Sequence, residues 1–179
     1  SDLFFTRFSD NFEATNVYYH IDNSMRWINI SLSYPLTPYQ YTGGVRFDPH
    51  GLSGSDNSHY ITSTGSIAYG DGGVDDAEDL GVVLHELGHG LHDWLTVGSL
   101  SQVEGLSEGS GDYWATSYVR STGYWNSSNP AYNWVFIWDG HNPFWAGRIV
   151  NYTAHYPEGL TGTIHTDGQM WASSLMSIY

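Results

Sequence analysis

His85-Glu86-Leu87-Gly88-His89 is the stretch that decides how the rest of the chain reads. On an α-helix, positions i and i+4 lie one turn apart, so the two imidazoles point the same way and can share one metal ion. Glu86 sits beside them, where its carboxylate reaches a water at the metal rather than the metal itself. Zinc suits this set, which offers neutral nitrogen ligands, an open position and a base for the water's proton. The flanks supply the helix. Leu80, Leu84, Leu87, Leu91 and Leu95 form an apolar stripe, Asp75 or Asp76 is placed to cap it, and Glu78 and Asp79 complement the dipole of its first turn. The alternative is a polar strip on an amphipathic helix. Gly88 and Gly90 speak against a helix selected for stability alone, since each costs about 1 kcal/mol relative to Ala. They imply the close approach of another backbone.

Two histidines leave a ligand to find. A third His six residues beyond the second would have to stand at position 95, which is Leu95. His92 lies on the same helical face but one turn too far for a single ion to take all three from a straight helix, so it reads as a surface or structural histidine. The next acidic segment is Glu104-Gly-Leu-Ser-Glu108-Gly-Ser-Gly-Asp112, on a helix expected over about Val103 to Arg120. Spacing favours Glu108 as the third ligand and leaves Glu104, one turn away, as the alternative. Asp112, one turn beyond Glu108, is placed to accept a hydrogen bond from the outer nitrogen of a liganding histidine.

Outward from this core, the spacing predicts a first helix from about Asn11 to Trp27, with Tyr18, Ile21, Met25 and Ile28 on its apolar side. Strict alternation over Ile28–Tyr34 predicts a half-buried strand stopped by Pro35. Short strands are expected at Val45–Phe47, His59–Thr62 and Ser66–Tyr69. Ser121–Gly162, rich in Gly, Asn, Pro and Trp, reads as irregular, with Trp125, Trp134, Trp138 and Trp145 as its local core rather than a stacking surface. A last helix is expected from Thr166 to Tyr179, with Met170, Trp171, Leu175 and Ile178 inward. It is still running at Tyr179, so the unit reads as open at its C-terminus.

The whole is one α+β unit of 179 residues, an α/β half to about residue 95 and a helical half from about 96. Nineteen acidic residues against five Arg and no Lys give a net charge of −14, which repels phosphate backbones and anionic lipid. Nucleic-acid and membrane-surface binding are therefore poor readings. No Cys is present, which excludes thiol catalysis and Cys-ligated zinc, and no run of apolar residues reaches the roughly 18 of a membrane span. The composition leans towards a secreted protein, and Ser1-Asp2-Leu3-Phe4-Phe5-Thr6-Arg7 is not a signal peptide.

HELGH followed by Ser107-Glu108-Gly-Ser-Gly-Asp112-Tyr-Trp-Ala resembles the gluzincin metallopeptidases, in their thermolysin-like and fungalysin-like branches. The resemblance implies a zincin-type catalytic domain, a mixed sheet with an antiparallel edge strand beside the zinc helix. It implies Glu108 rather than Glu104 as third ligand, and Asp112 as partner of His85. Ser66-Ile-Ala-Tyr-Gly-Asp71-Gly is similar to the strand and turn before the zinc helix in that family, and Asn57–Ile61 would be the edge strand that pairs with an extended peptide substrate. Thr163-Ile-His165-Thr-Asp-Gly168-Gln-Met-Trp171-Ala is similar to a fungalysin-like segment, which makes His165 the histidine that hydrogen-bonds the tetrahedral intermediate. The implied activity is zinc-dependent endopeptidase, with Glu86 as base; the alternatives are a zinc exopeptidase and a non-catalytic binding domain that retains this fold. There are departures. No Tyr stands in Leu100–Gln102 to assist the oxyanion, leaving Tyr152 or Tyr156 as substitutes, and Gln169 replaces a Glu. The thermolysin calcium carboxylates have no counterparts, although Asp71, Asp75, Asp76 and Asp79 offer a calcium site as the alternative to a solvated cap and turn.

Overall fold

A computed structural model describes residues 4–7 and 9–179; Ser1, Asp2 and Leu3 of the N-terminal stretch lie outside the described residues. Four helices and a small mixed sheet build the fold: α1 (Asp10–Arg26), β1 (Arg46–Asp48), β2 (His59–Ile61), β3 (Ser66–Ala68), α2 (Leu80–Leu95), α3 (Leu106–Ser121) and α4 (Ile164–Met176). The strand order is β1-β3-β2. β1 runs parallel to β3 with Phe47 opposite Ile67, and β2 runs antiparallel to β3 with Tyr60 opposite Ile67. This leaves β2 as an antiparallel edge strand. Among the described residues no helix is long and apolar enough to cross a membrane.

α2 is the centre of the molecule. Thirteen of its sixteen residues are buried, so it is enclosed on every side rather than on one stripe. Leu84 and Leu87 are fully buried and Leu91 nearly so, whereas Leu95, expected on the same stripe, is 52% exposed where the helix ends. Burial of each of the inner leucines contributes about 1.5–3 kcal/mol. The sheet covers one side through Tyr60 and Ile67, α1 another through Val17 and Ile21, and α3 packs along α2 and is backed by α4. A Cβ on Gly88 would stand 2.6 Å from the Cα of Gly111 on α3, so these helices touch backbone to backbone. Gly90 has a different neighbour: its face meets the rings of Trp94 and Tyr60.

Several expectations are corrected. Ile28–Tyr34 is not a strand. The chain continues from α1 into a wider π-helical turn at Trp27–Ser31, closed by the Leu32 amide donating to the Trp27 carbonyl. Only Ile28 of the alternating set is buried, while Ile30 and Leu32 face solvent, and among the described residues no strand pairs with them. On α1 and the turn after it, Ile21, Met25 and Ile28 face the core as expected, joined by Val17 and Ser24, whereas Tyr18 is 52% exposed. On α4 the inward face is Met170, Ala172 and Met176, with Ile178 81% exposed beyond the helix end. In the 121–162 segment the buried apolar side chains are Ala131, Val135, Phe136 and Val150. Trp138 and Trp145 are exposed, and Trp134 stacks flat on His141.

The cap of α2 is Asp79, not Asp75 or Asp76, because a 3-10 turn over Asp76–Glu78 delays the helix start. Asp79 Oδ1 accepts from the Gly81 amide at 2.6 Å, and Oδ2 accepts from the amides of Trp138 and Asp139 at 2.8 and 2.7 Å. One carboxylate thus satisfies orphan donors of the helix and anchors the distant 134–150 segment to it.

Candidate metal centre

His85 and His89 project from successive turns of α2 towards Glu108 on the first turn of α3. Each turns its Nε2 to the Glu108 carboxylate, His85 at 3.4 Å from Oε2 and His89 at 3.5 Å from Oε1. A tetrahedral ion with bonds of about 2.0–2.1 Å sets its ligand atoms about 3.3 Å apart, close to these separations. The three side chains are buried and could hold a metal ion, their ligand atoms lying within 4.8 Å of one another. Glu108 Oε2 supports the fit: it is buried without a hydrogen bond, although nitrogens of His85, Arg148 and His165 stand 3.4–3.5 Å away. Glu104 is not in the group. It occupies the 3-10 turn before α3, and its carbonyl accepts from Trp171 Nε1.

The outer nitrogens fix the rings. His85 Nδ1 donates to Asp112 Oδ1 at 2.9 Å, and His89 Nδ1 is bonded to Ser107 Oγ at 2.8 Å. With Nδ1 so engaged, each ring leaves Nε2 facing Glu108. Glycine makes room for this arrangement, since a Cβ on Gly111 would stand 2.6 Å from His85 Nδ1.

Arg148 and Gln102 complete the centre. Arg148 is buried and clamps Asp112 through two 2.8 Å bonds, from Nε to Oδ2 and from its terminal nitrogen to Oδ1, while its guanidinium lies over the Phe136 ring. Gln102 Nε2 donates to Glu108 Oε1 at 2.9 Å. Neither belongs to a motif, and the only sequence signal for Arg148 is that Arg is scarce in this chain.

Charge balance follows from these contacts. Burial opposes ionisation of Glu108 and Asp112, but the cationic groups of His85 and Arg148 hold both carboxyls below the ordinary range. Burial and Arg148 work against a proton on His85, yet Asp112 and Glu108 outweigh them and raise its pKa to about 9. His89, desolvated and beside that imidazolium, falls to about 3. Metal binding here must therefore displace the proton of His85. Burial raises Glu86 to about 7, helped by the Glu108 charge and resisted by His85. Its Oε2 is buried with no partner.

His85, Glu86, His89, Glu108 and Arg148 border a cleft of about 1400 Å³ whose walls include Asn57 and Ser58, the start of β2 at His59 and Tyr60, Trp145 and His165. His165, the second residue of α4, lies 3.5 Å from Glu108 Oε2 and is well exposed. Tyr152 and Tyr156 do not line the cleft, and Tyr156 packs near Trp171 instead. His92 is half-buried and outside the metal group. The four aspartates weighed for calcium do not converge. Asp79 is the helix cap, Asp71 pairs with His50, Asp75 joins Glu13 and Glu78, and Asp76 joins Asp56 and Asp139. Neither a protein-family model nor a curated protein matches this sequence.

Proposed function

We propose that the protein is a zinc-dependent endopeptidase of gluzincin type. The observation that carries the reading is the buried group His85, His89 and Glu108 with the unpartnered Glu86 oxygen beside it in one open cleft. Two imidazoles and one carboxylate are a donor set of catalytic zinc sites, which keep a position for water. Zinc supplies there an acidified water and a Lewis acid for the scissile carbonyl.

The chain's own groups do the rest. An extended peptide adds to the free edge of β2, which brings its backbone along the cleft. Glu86, made a weak acid by burial, takes the proton of the attacking water and delivers it to the departing amine. His165 at the rim donates to the developing oxyanion. Asp112 holds His85 in the tautomer that offers Nε2, and Arg148 keeps Asp112 ionised. The acidic, lysine-free composition fits an exported enzyme.

Glu86→Gln keeps the ligand set and loses the base. Turnover of an unfolded protein substrate falls about 100- to 10,000-fold while zinc content stays at wild-type level. Equal cleavage by the variant removes Glu86 from this role. One observation favours a second reading, an exopeptidase. Asp56, Asp76 and Asp139 border the same cleft and offer negative charge to a free α-amine. Product sizes separate the two, internal fragments for the first and single residues or short terminal peptides for the second.

A further inference from the structure

The start of α1 and the turn before α2 meet at three carboxylates, those of Glu13, Asp75 and Glu78, with one oxygen of each inside a 4.8 Å span. Glu13 is only 5% exposed, and its Oε2 is buried with no hydrogen-bond partner among the described residues. A buried carboxylate beside two further carboxylates is costly unless a cation or a proton compensates it. The compensation in view is partial. Arg7 donates to Glu78 Oε2 at 2.7 Å and lies over Trp138, while His50 is engaged with Asp71 at 2.8 Å. Three carboxylates against one guanidinium leave a negative excess that the His50 ring, shared with Asp71, offsets only in part, and a divalent ion suits it. The donors are all oxygen, the preference of a hard cation that takes six to eight oxygen ligands at about 2.3–2.6 Å.

We infer that Glu13, Asp75 and Glu78 form a calcium site that clamps the start of α1 to the turn leading into α2. The site is separate from the metal centre and does not rest on the peptidase reading. Its position gives it a task. Asn16 Nδ2 already donates to the Ala77 carbonyl at 2.8 Å, so the same two segments are tied by a neutral bond beside the carboxylates. Asp79, the cap of α2, follows Glu78 directly. An ion here closes a long loop of chain and fixes the residues from which the histidine-bearing helix starts.

The test is equilibrium dialysis with radioactive calcium on the full chain, with stoichiometric zinc present so that the histidine site is not the calcium acceptor, together with thermal unfolding in the same buffers. The wild type binds one calcium at this site. Its midpoint rises by about 5–10 °C when free calcium exceeds Kd about 100-fold. Glu13→Gln and Asp75→Asn each weaken binding at least about tenfold and abolish the shift. Asp139→Asn, in the other acidic group, retains both. Three results overturn the proposal: no calcium bound at millimolar concentration, binding that Asp139→Asn removes and Glu13→Gln does not, or Glu13→Gln stabilising the chain equally with and without calcium. The last would mean that a shared proton, not a cation, compensates the carboxylates.

Discussion

Two carboxylate groups border one cleft and are driven in opposite directions. Glu108, with Asp112 behind it, is buried yet held firmly ionised, because His85 and Arg148 stand against it. Asp76 and Asp139 are pushed up, to about 7 and about 6, because burial acts on them with other carboxylates as neighbours. The one hydroxyl bond, from Ser58 Oγ to Asp76 Oδ2 at 2.5 Å, does not reverse this. Burial acts on both groups, and the sign of the nearest charge decides the outcome. The Glu108 side stays charged and could hold a metal ion. The Asp76 side takes up protons in mildly acidic solution.

Removing the cation is the strongest way to break that contrast. Arg148→Met leaves the buried carboxylates of Asp112 and Glu108 facing a neutral side chain, and stability at neutral pH falls by about 3–5 kcal/mol in urea titrations of the metal-free chain. The direction with pH follows from Asp112. Its folded pKa lies below the ordinary value of about 3.9, so its contribution is full above that pH and lost as pH falls through the folded value. The gap between wild type and variant therefore narrows on acidification. A gap that is small at all pH values would show that Arg148 is not what holds these groups ionised.

The next effect is on metal. Glu108→Ala lowers zinc affinity by more than about 100-fold, whereas Glu104→Ala, outside the ligand group, retains wild-type zinc content after dialysis. A reversed ranking would move the ligand to the 3-10 turn. The smallest effect lies on the other side of the cleft. Asp76 has a raised folded pKa, so it contributes stability that is full below about pH 3.9 and lost as pH rises through about 7. Asp76→Asn flattens that part of the profile, read as unfolding midpoints from pH 4 to 8 in calcium-free buffer. An unchanged slope would assign the proton uptake elsewhere.

What could be read from the chain followed from periodicity within single helices. His85 and His89 at i and i+4, and Glu108 with Asp112 one turn apart, carry their geometry in their spacing, and the structure brings them together. Three strands lie within a residue or so of the expected segments because β-rich runs there are bounded by turn residues. Arg148 could not be read in this way: it reaches Asp112 across 36 positions from an irregular segment with no period. The Ile28–Tyr34 pattern misled because alternation describes a face without saying whether a partner strand exists. The capping residue was misplaced because four acidic residues in Asp75–Asp79 compete for it. The amides of Trp138 and Asp139, far along the chain, join that of Gly81 in selecting Asp79.

The contact between Gly88 and Gly111 has a further consequence. Elsewhere in the core, side chains cushion the approach of one element to another and can give by changing rotamer. Between α2 and α3 there is no such cushion, since backbone meets backbone at that crossing. The separation of the histidines from Glu108 is set by two stretches of one backbone in hard contact, as a gauge block sets a gap. An ion held by these three side chains would meet that gap, and one that needs longer bonds would have to pry apart two helices.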